Sequence, residues 1–289
     1  MVPANMGKRK HPSRPTKSRI SRPRAKGAAR RARGSDAAGE PSSAPYWIYG
    51  THAVQAAFAN PTRRCHRLVV ATAAGGKAAA GIAEAGAGFP ARPDPEPVDR
   101  ADIERILEPG AVHQGVALLA DPLPAVTIED TRAATDGVDD AVVVILDQAS
   151  DPRNVGAVLR SAAAFRAAAV VVQDRHAPPM TGALCKAASG AAEWVPLVRV
   201  VNIARAVWAL KDAGYWCAGL DPAAGQTLAE AAFRGRVALV LGAEGRGLRR
   251  LTRETCDELA KVPVAEGTDS LNLSNAAAVA LYELRRGRP

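Results

Sequence analysis

Ala141-Val142-Val143-Val144-Ile145-Leu146-Asp147 (AVVVILD), followed by Gln148-Ala149-Ser150-Asp151-Pro152-Arg153-Asn154-Val155-Gly156, decides the fold of this chain. An apolar run without alternation, rich in β-branched residues and too short for a helix of its own, is the pattern of a strand buried on both faces. The polar cluster after it ends the strand and leads into a helix predicted over Val155–Phe165. Outward from this unit the alternation repeats. Strands are predicted at Ala169–Asp174, Val195–Val200, Tyr215–Leu220 and Val237–Leu241, with helices at 181–189, 203–213, 252–259 and 272–286. Buried strands separated by helices indicate an α/β fold built on a parallel sheet. Ligands of such sheets sit beyond the carboxyl ends of the strands, so the positions of interest follow Asp147, Leu241 and Val264.

Each of these loops carries unusual chemistry. In the first, Asn154 by itself reads as a helix cap, and Arg160 lies off the 155/158/159/162 apolar stripe as a solvent-facing residue does. The second, Gly242-Ala243-Glu244-Gly245-Arg246-Gly247-Leu248, lets backbone approach a ligand closely. Its spacing is GxxGxG, neither the dinucleotide fingerprint nor a P-loop, which disfavours a plain nucleotide-phosphate site. The third loop offers Ser270, Asn272, Ser274 and Asn275 ahead of the last helix, where one cap would suffice. The surplus points to a site.

Asn154-x5-Arg160 after an apolar strand, Leu241-Gly242-Ala243-Glu244-Gly245-x-Gly247, and Val262-Pro263 followed by Leu271-Asn272-Leu273-Ser274 together resemble the three ordered motifs of the SpoU (TrmH) family of SPOUT RNA methyltransferases. The family often has Ile-Pro-Met where this chain has Val262-Pro263-Val264, and SLNVS where it has Ser270–Ser274. The resemblance implies a domain over 141–289 whose C-terminal segment is threaded into a deep trefoil knot. It implies S-adenosyl-L-methionine as cofactor, bound among the loops beginning at Gly242, Val262 and Leu271. Gly242 would admit the donor, Leu241, Val262, Leu271 and Leu273 would wall it, and Ser270 would complete the pocket. The reaction implied is 2'-O-methylation of an RNA ribose. The family places Arg160 at the reacting hydroxyl, as general base in some accounts. Bidentate phosphate anchoring is the alternative, because a guanidinium does not readily deprotonate. Asn154 is expected to orient Arg160 or the ribose, and Glu244 to hold its loop by accepting backbone or side-chain donors, with a base role as runner-up. Asn272 is expected at the donor or the nucleotide. A homodimer through the terminal helix is implied as well.

Upstream, His66–Ala71 and Gly115–Ala120 read as strands, and His52–Phe58 and Arg100–Leu107 as helices, with a glycine-interrupted helix over 73–88. Tyr49-Gly50-Thr51-His52-Ala53-Val54 and Val112-His113-Gln114-Gly115-Val116 are similar to the L30e-like RNA-binding domain that precedes the catalytic domain in the branch modifying 23S rRNA. The expected organisation is therefore a disordered basic arm and linker (1–45), an L30e-like substrate-binding domain (46–122), a connector (123–140) and the methyltransferase domain (141–289). Guanosine of 23S rRNA is the target this branch implies. A tRNA ribose methyltransferase is the nearer rival. From a different class, a non-catalytic RNA-binding or ribosome-assembly factor accounts for arm and module alone, but not for Asn154, Arg160, Glu244 and Asn272 together.

Charge locates the RNA partner. Twelve of the 38 Lys/Arg fall within residues 1–35 beside no acid, which leaves 26 against all 29 acidic residues in the rest. Such an arm cannot bury a core and binds polyanions by counterion release. A solubilising tail or a mitochondrial presequence fits the same composition. Cys65, Cys185, Cys217 and Cys256 are too dispersed for a zinc site or a disulfide framework and read as buried or half-buried thiols, with no metal expected. The absence of an apolar run of about 18 residues and of a signal-peptide core argues for no membrane association and a cytoplasmic protein.

Overall fold

The computed structural model describes residues 44–72, 75–89, 91–267 and 270–286. The basic arm and linker expected over 1–45 thus lie outside the described residues, apart from Ala44 and Pro45.

The first sheet has the order β1 (Tyr46–Tyr49), β4 (Val116–Ala120), β2 (Cys65–Ala71), β3 (Pro95–Val98). β4 runs antiparallel to β1 and β2, and β3 runs parallel to β2. Alternation along β2 divides its side chains. Leu68 and Val70 meet α1 (Thr51–Ala59) and Ile82 of α2 (Gly75–Gly86), while Val69 and Ala71 meet Ile103 of α3 (Arg100–Ile106). β1 and β3 were not expected from the sequence. Two prolines in Pro95-Glu96-Pro97-Val98 disguise β3, and they are tolerated because it is an edge strand that donates few ladder bonds.

The second sheet is wholly parallel, in the order β10 (Glu258–Ala260), β8 (Trp216–Leu220), β9 (Val237–Gly242), β5 (Val142–Asp147), β6 (Ala169–Gln173), β7 (Leu197–Val200). Val142, Val144 and Leu146 face one core and Val143 and Ile145 the other, all fully buried. Each such side chain contributes about 1.5–3 kcal/mol relative to an exposed one. The first core is closed by α5 (Pro152–Ala164), α6 (Gly182–Ala188), α8 (Leu228–Ala231) and α10 (Leu273–Arg285), the second by α4 (Ile128–Ala134) and α7 (Ile203–Asp212).

Several boundaries differ from expectation for local reasons. α5 begins at Pro152, three residues earlier than predicted, because Asp151 and not Asn154 caps it, accepting from the Arg153 amide at 2.8 Å. The connector contains α4, started by a reciprocal Thr127–Asp130 capping box. α9 (Arg250–Thr255) stops short of the predicted 252–259 helix. Beyond Thr255 the chain turns extended, Asp257 exchanges backbone and side-chain bonds with Cys217, and β10 adds to the sheet edge. The two sheets meet where α6 lies against β1. At Gly182 a Cβ would overlap the Tyr49 ring and the Trp47 carbonyl. Beside it, Arg63 of the first sheet's half forms a two-point ion pair with Glu193, both side chains almost fully buried.

Candidate active site

β5 and β9 are neighbours, and their last residues, Asp147 and Gly242, stand in register. From β5 the chain proceeds to β6 on one side of the sheet and later to β8 and β9 on the other, so this junction is the topological switch point where open sheets hold ligands. The loops leaving β5 and β9 and the segment before α10 converge there.

Glu244 joins them. Its Oε1 accepts Asn154 Nδ2 at 2.9 Å, Asn272 Nδ2 at 2.6 Å and the Leu273 amide at 3.1 Å. Asn272 Nδ2 also reaches Asn154 Oδ1 at 3.1 Å, closing a triangle of side chains from three loops. The other end of Asn272 caps α10, its Oδ1 accepting from the Ser274 amide at 2.9 Å and the Asn275 amide at 3.4 Å. Asn272 is therefore both helix cap and network member, a double role that a count of polar residues cannot reveal.

Next to the triangle lies a half-enclosed cavity of about 630 Å³. Leu241, Gly242, Val262, Ser270, Leu271 and Leu273 all line it, as does Glu244. Gly242 is required there, since a Cβ would overlap the Gly247 carbonyl group and the Leu248 amide. That approach folds the loop back on itself, with the Gly247 amide donating to Ala243 at 2.9 Å. A fourth wall, Leu220-Asp221-Pro222-Ala223, was missed by sequence reasoning. The same strand-end rule that singled out Asp147 and Leu241 applies to the end of β8 and would have found it.

Arg160 stands apart. It lies on α5 six residues beyond Asn154, exposed, with no hydrogen-bond or ion-pair partner among the described residues. Six residues along a helix turn the side chain about 120° away from Asn154. Within this chain, then, Asn154 bonds Glu244 and Asn272, not Arg160.

The two motifs of the N-terminal half also meet. Gln114, held at φ 56°, accepts the Thr51 amide at 3.1 Å and bonds Lys186 of α6, whose ammonium burial pushes to a lower pKa. The thiols of Cys185, Cys217 and Cys256 are pushed up to about 12, chiefly by burial, which removes them as nucleophiles at neutral pH. Among the described residues no cluster of three or more His, Cys, Asp or Glu is placed to hold a metal, and no helix is long and apolar enough to cross a membrane.

Comparisons with known proteins place this architecture. The SpoU rRNA Methylase family matches residues 141–282, and the RNA 2'-O ribose methyltransferase substrate-binding family matches residues 47–126. The 23S rRNA (guanosine-2'-O-)-methyltransferase RlmB of Photobacterium profundum is 42% identical over 179 residues, covering 62% of this chain and 73% of that protein. RlmB of Escherichia coli K12 is likewise 42% identical over 179 residues, covering 62% of this chain and 74% of its own. Among solved structures, the SpoU methyltransferase AviRb of Streptomyces viridochromogenes in complex with AdoMet aligns with a TM-score of 0.70 at 23% identity, over 84% of this chain and 90% of its own. An AdoMet-bound rRNA methyltransferase of Sinorhizobium meliloti aligns with a TM-score of 0.69 at 21% identity, over 85% and 88%. These last two share the α/β fold with its parallel sheet. With its three motif loops gathered at one switch point and this level of identity to curated relatives, the chain belongs to the SpoU rRNA methylase family.

Proposed function

We propose that this protein methylates the ribose 2'-oxygen of a guanosine in 23S rRNA, using S-adenosyl-L-methionine. The observation that carries the reading is the joining of Asn154, Glu244 and Asn272 beside a cavity walled by Leu241, Gly242, Val262, Leu271 and Leu273. The choice of 23S guanosine follows the RlmB relatives at 42% identity.

The residues present fit the donor. A volume of about 630 Å³ suits a small-molecule site, for which roughly 300–1,000 Å³ is usual. Aliphatic side chains cover the faces of a purine while the main chain around Gly242 and Val262 offers donors and acceptors for its edge. When bound, S-adenosyl-L-methionine supplies an electrophilic methyl whose transfer cancels a positive charge. The chain's own contribution is positioning. Glu244 ties the three loops together, Asn154 and Asn272 hold the network beside the ribose, and Ser270 closes the donor side. Arg160 grips the adjacent phosphate with two parallel hydrogen bonds, and the hydroxyl proton leaves to water or a phosphate oxygen, since a guanidinium keeps its own.

Arg160 has no hydrogen-bond or ion-pair partner among the described residues, and α10 leaves Val279 and Tyr282 exposed at 43% and 55%. Both features support a homodimer packed through the α10 region, in which the partner subunit completes the site. The segment around Asn272 and Leu273, tied to the Gly242–Leu248 loop by Glu244 before entering α10, supports the deep trefoil knot. Residues 46–122 form the L30e-like RNA-binding domain, 123–140 the connector and 141–289 the catalytic domain. The arm, rich in Lys and Arg, makes first contact with RNA in the cytoplasm.

Incubation with labelled donor and 23S rRNA, followed by mapping of 2'-O-methylation, tests the reading. One modified guanosine is expected. Labelling of tRNA alone would transfer the assignment to a tRNA ribose methyltransferase, and absence of donor binding at millimolar ligand would leave a non-catalytic RNA-binding protein. Light scattering that finds an active monomer would refute the dimer.

A further inference from the structure

Asp147 closes β5, and its carboxylate is completely buried. Both its oxygens are filled by one residue. Oδ1 accepts Arg249 Nε at 2.7 Å and Nη2 at 2.6 Å, and Oδ2 accepts the Arg249 amide at 3.2 Å. Arg249 is where the Gly242–Leu248 loop ends and α9 begins. The loop is thus held at its entrance by the β5–β9 ladder and at its exit by a buried ion pair to the same strand β5. Between the two anchors lie the backbone groups of Gly242–Gly247, Leu248, and Glu244, all of which line the cavity.

We propose that Asp147 and Arg249 form a latch that fixes the Gly242–Leu248 loop in its donor-binding shape. They are positioning residues for methyl transfer, and this rests on the reading of the cavity as the donor pocket. The two members are unequal. The Arg249 side chain is 38% exposed and can turn to water, whereas Asp147 has no route to solvent. Loss of the arginine strands a buried carboxylate, and the accessible relaxation is for the loop exit to lift and let water in. That motion deforms the mouth of the cavity and pulls on the Glu244 bonds to Asn154 and Asn272, while among the described residues Arg160 on α5 and the N-terminal half make no bond to the loop. A lysine at 249 would satisfy the charge but give up the two-point contact.

The test uses the full-length protein and Arg249→Met. Hydrogen exchange of the 243–248 amides, measured without ligand, is expected to accelerate about tenfold or more. Titration calorimetry with S-adenosyl-L-methionine and with S-adenosylhomocysteine is expected to show Kd raised about tenfold. The donor KM should rise in parallel while the RNA KM stays within about twofold. Arg249→Lys should fall between the two proteins, and it carries the test by itself if the methionine variant does not fold. A wild-type donor Kd in both variants would overturn the latch. Absence of binding to wild-type protein would overturn the donor reading instead, and the two failures are distinguished by that control.

Discussion

Replacement of Arg63 by Met should loosen the N-terminal half from the catalytic half, and the size of the effect follows from the geometry. Arg63 and Glu193 have side-chain exposures of 0% and 2%. The guanidinium donates Nε to Glu193 Oε2 at 3.1 Å, Nη2 to Oε1 at 2.6 Å, and Nη1 to the Asp121 carbonyl at 2.7 Å. Without it, Glu193 retains Asn60 Nδ2 at 2.9 Å as its side-chain donor, so a buried carboxylate is left nearly uncompensated. Breaking one side of such a pair typically costs about 3–5 kcal/mol. For a chain of this size about 2 °C accompanies each kcal/mol, giving a fall in melting temperature of roughly 6–10 °C. Arg63→Met/Glu193→Met, which removes both charges and keeps the volume, should return to within about 1–2 kcal/mol of wild type. A double-mutant cycle in urea, followed by tryptophan fluorescence, measures the coupling. If Arg63→Met lies within about 1 kcal/mol of wild type, or if the double variant is as unstable as the two single losses combined, the pair does not join the two halves as argued.

Other perturbations address the site and its surroundings. Gly242→Ala forces a methyl group onto the Gly247 carbonyl, so donor affinity measured by calorimetry should fall by about tenfold or more, and unchanged affinity would remove the close approach from the argument. Arg160→Lys should lose most turnover without a new pH dependence, because a point charge cannot reproduce two-point phosphate binding; near-normal turnover with a shifted pH profile would restore base catalysis. At alkaline pH the buried thiols of Cys185, Cys217 and Cys256, held near 12 in the fold, keep protons that unfolded thiols release around 8.5. Their contribution to stability is complete below about pH 8.5 and is lost as pH rises toward 12, so the urea midpoint should fall across that window; a midpoint that stays level would contradict the burial of these groups.

The parallel sheet was legible in the sequence because burial on both faces leaves an unmistakable mark. Val142–Leu146 and Val237–Leu241 have no polar residue for either face. The glycine loop after β9 and the polar cluster before α10 stood out for the same kind of local reason, and both line or border the cavity. Short edge elements were not legible. β3 carries two prolines and β10 has three residues, so neither shows a period long enough to read. The helix in the connector was within reach, since its Thr127–Asp130 capping box is a local signature.

What the amino-acid order determined unaided is therefore the α/β class, the strand ends at which chemistry gathers, and the residue types gathered there. Tertiary structure alone decided who meets whom. That Glu244 holds Asn154 from 90 residues earlier and Asn272 from 28 later, that Asp147 answers Arg249 across 102 positions, and that Arg63 is buried against Glu193 are consequences of which strands lie side by side. Burial periodicity is a property of a segment and its solvent, and survives in the local pattern. A polar pairing is a property of two distant segments, and exists only once the chain has brought them together.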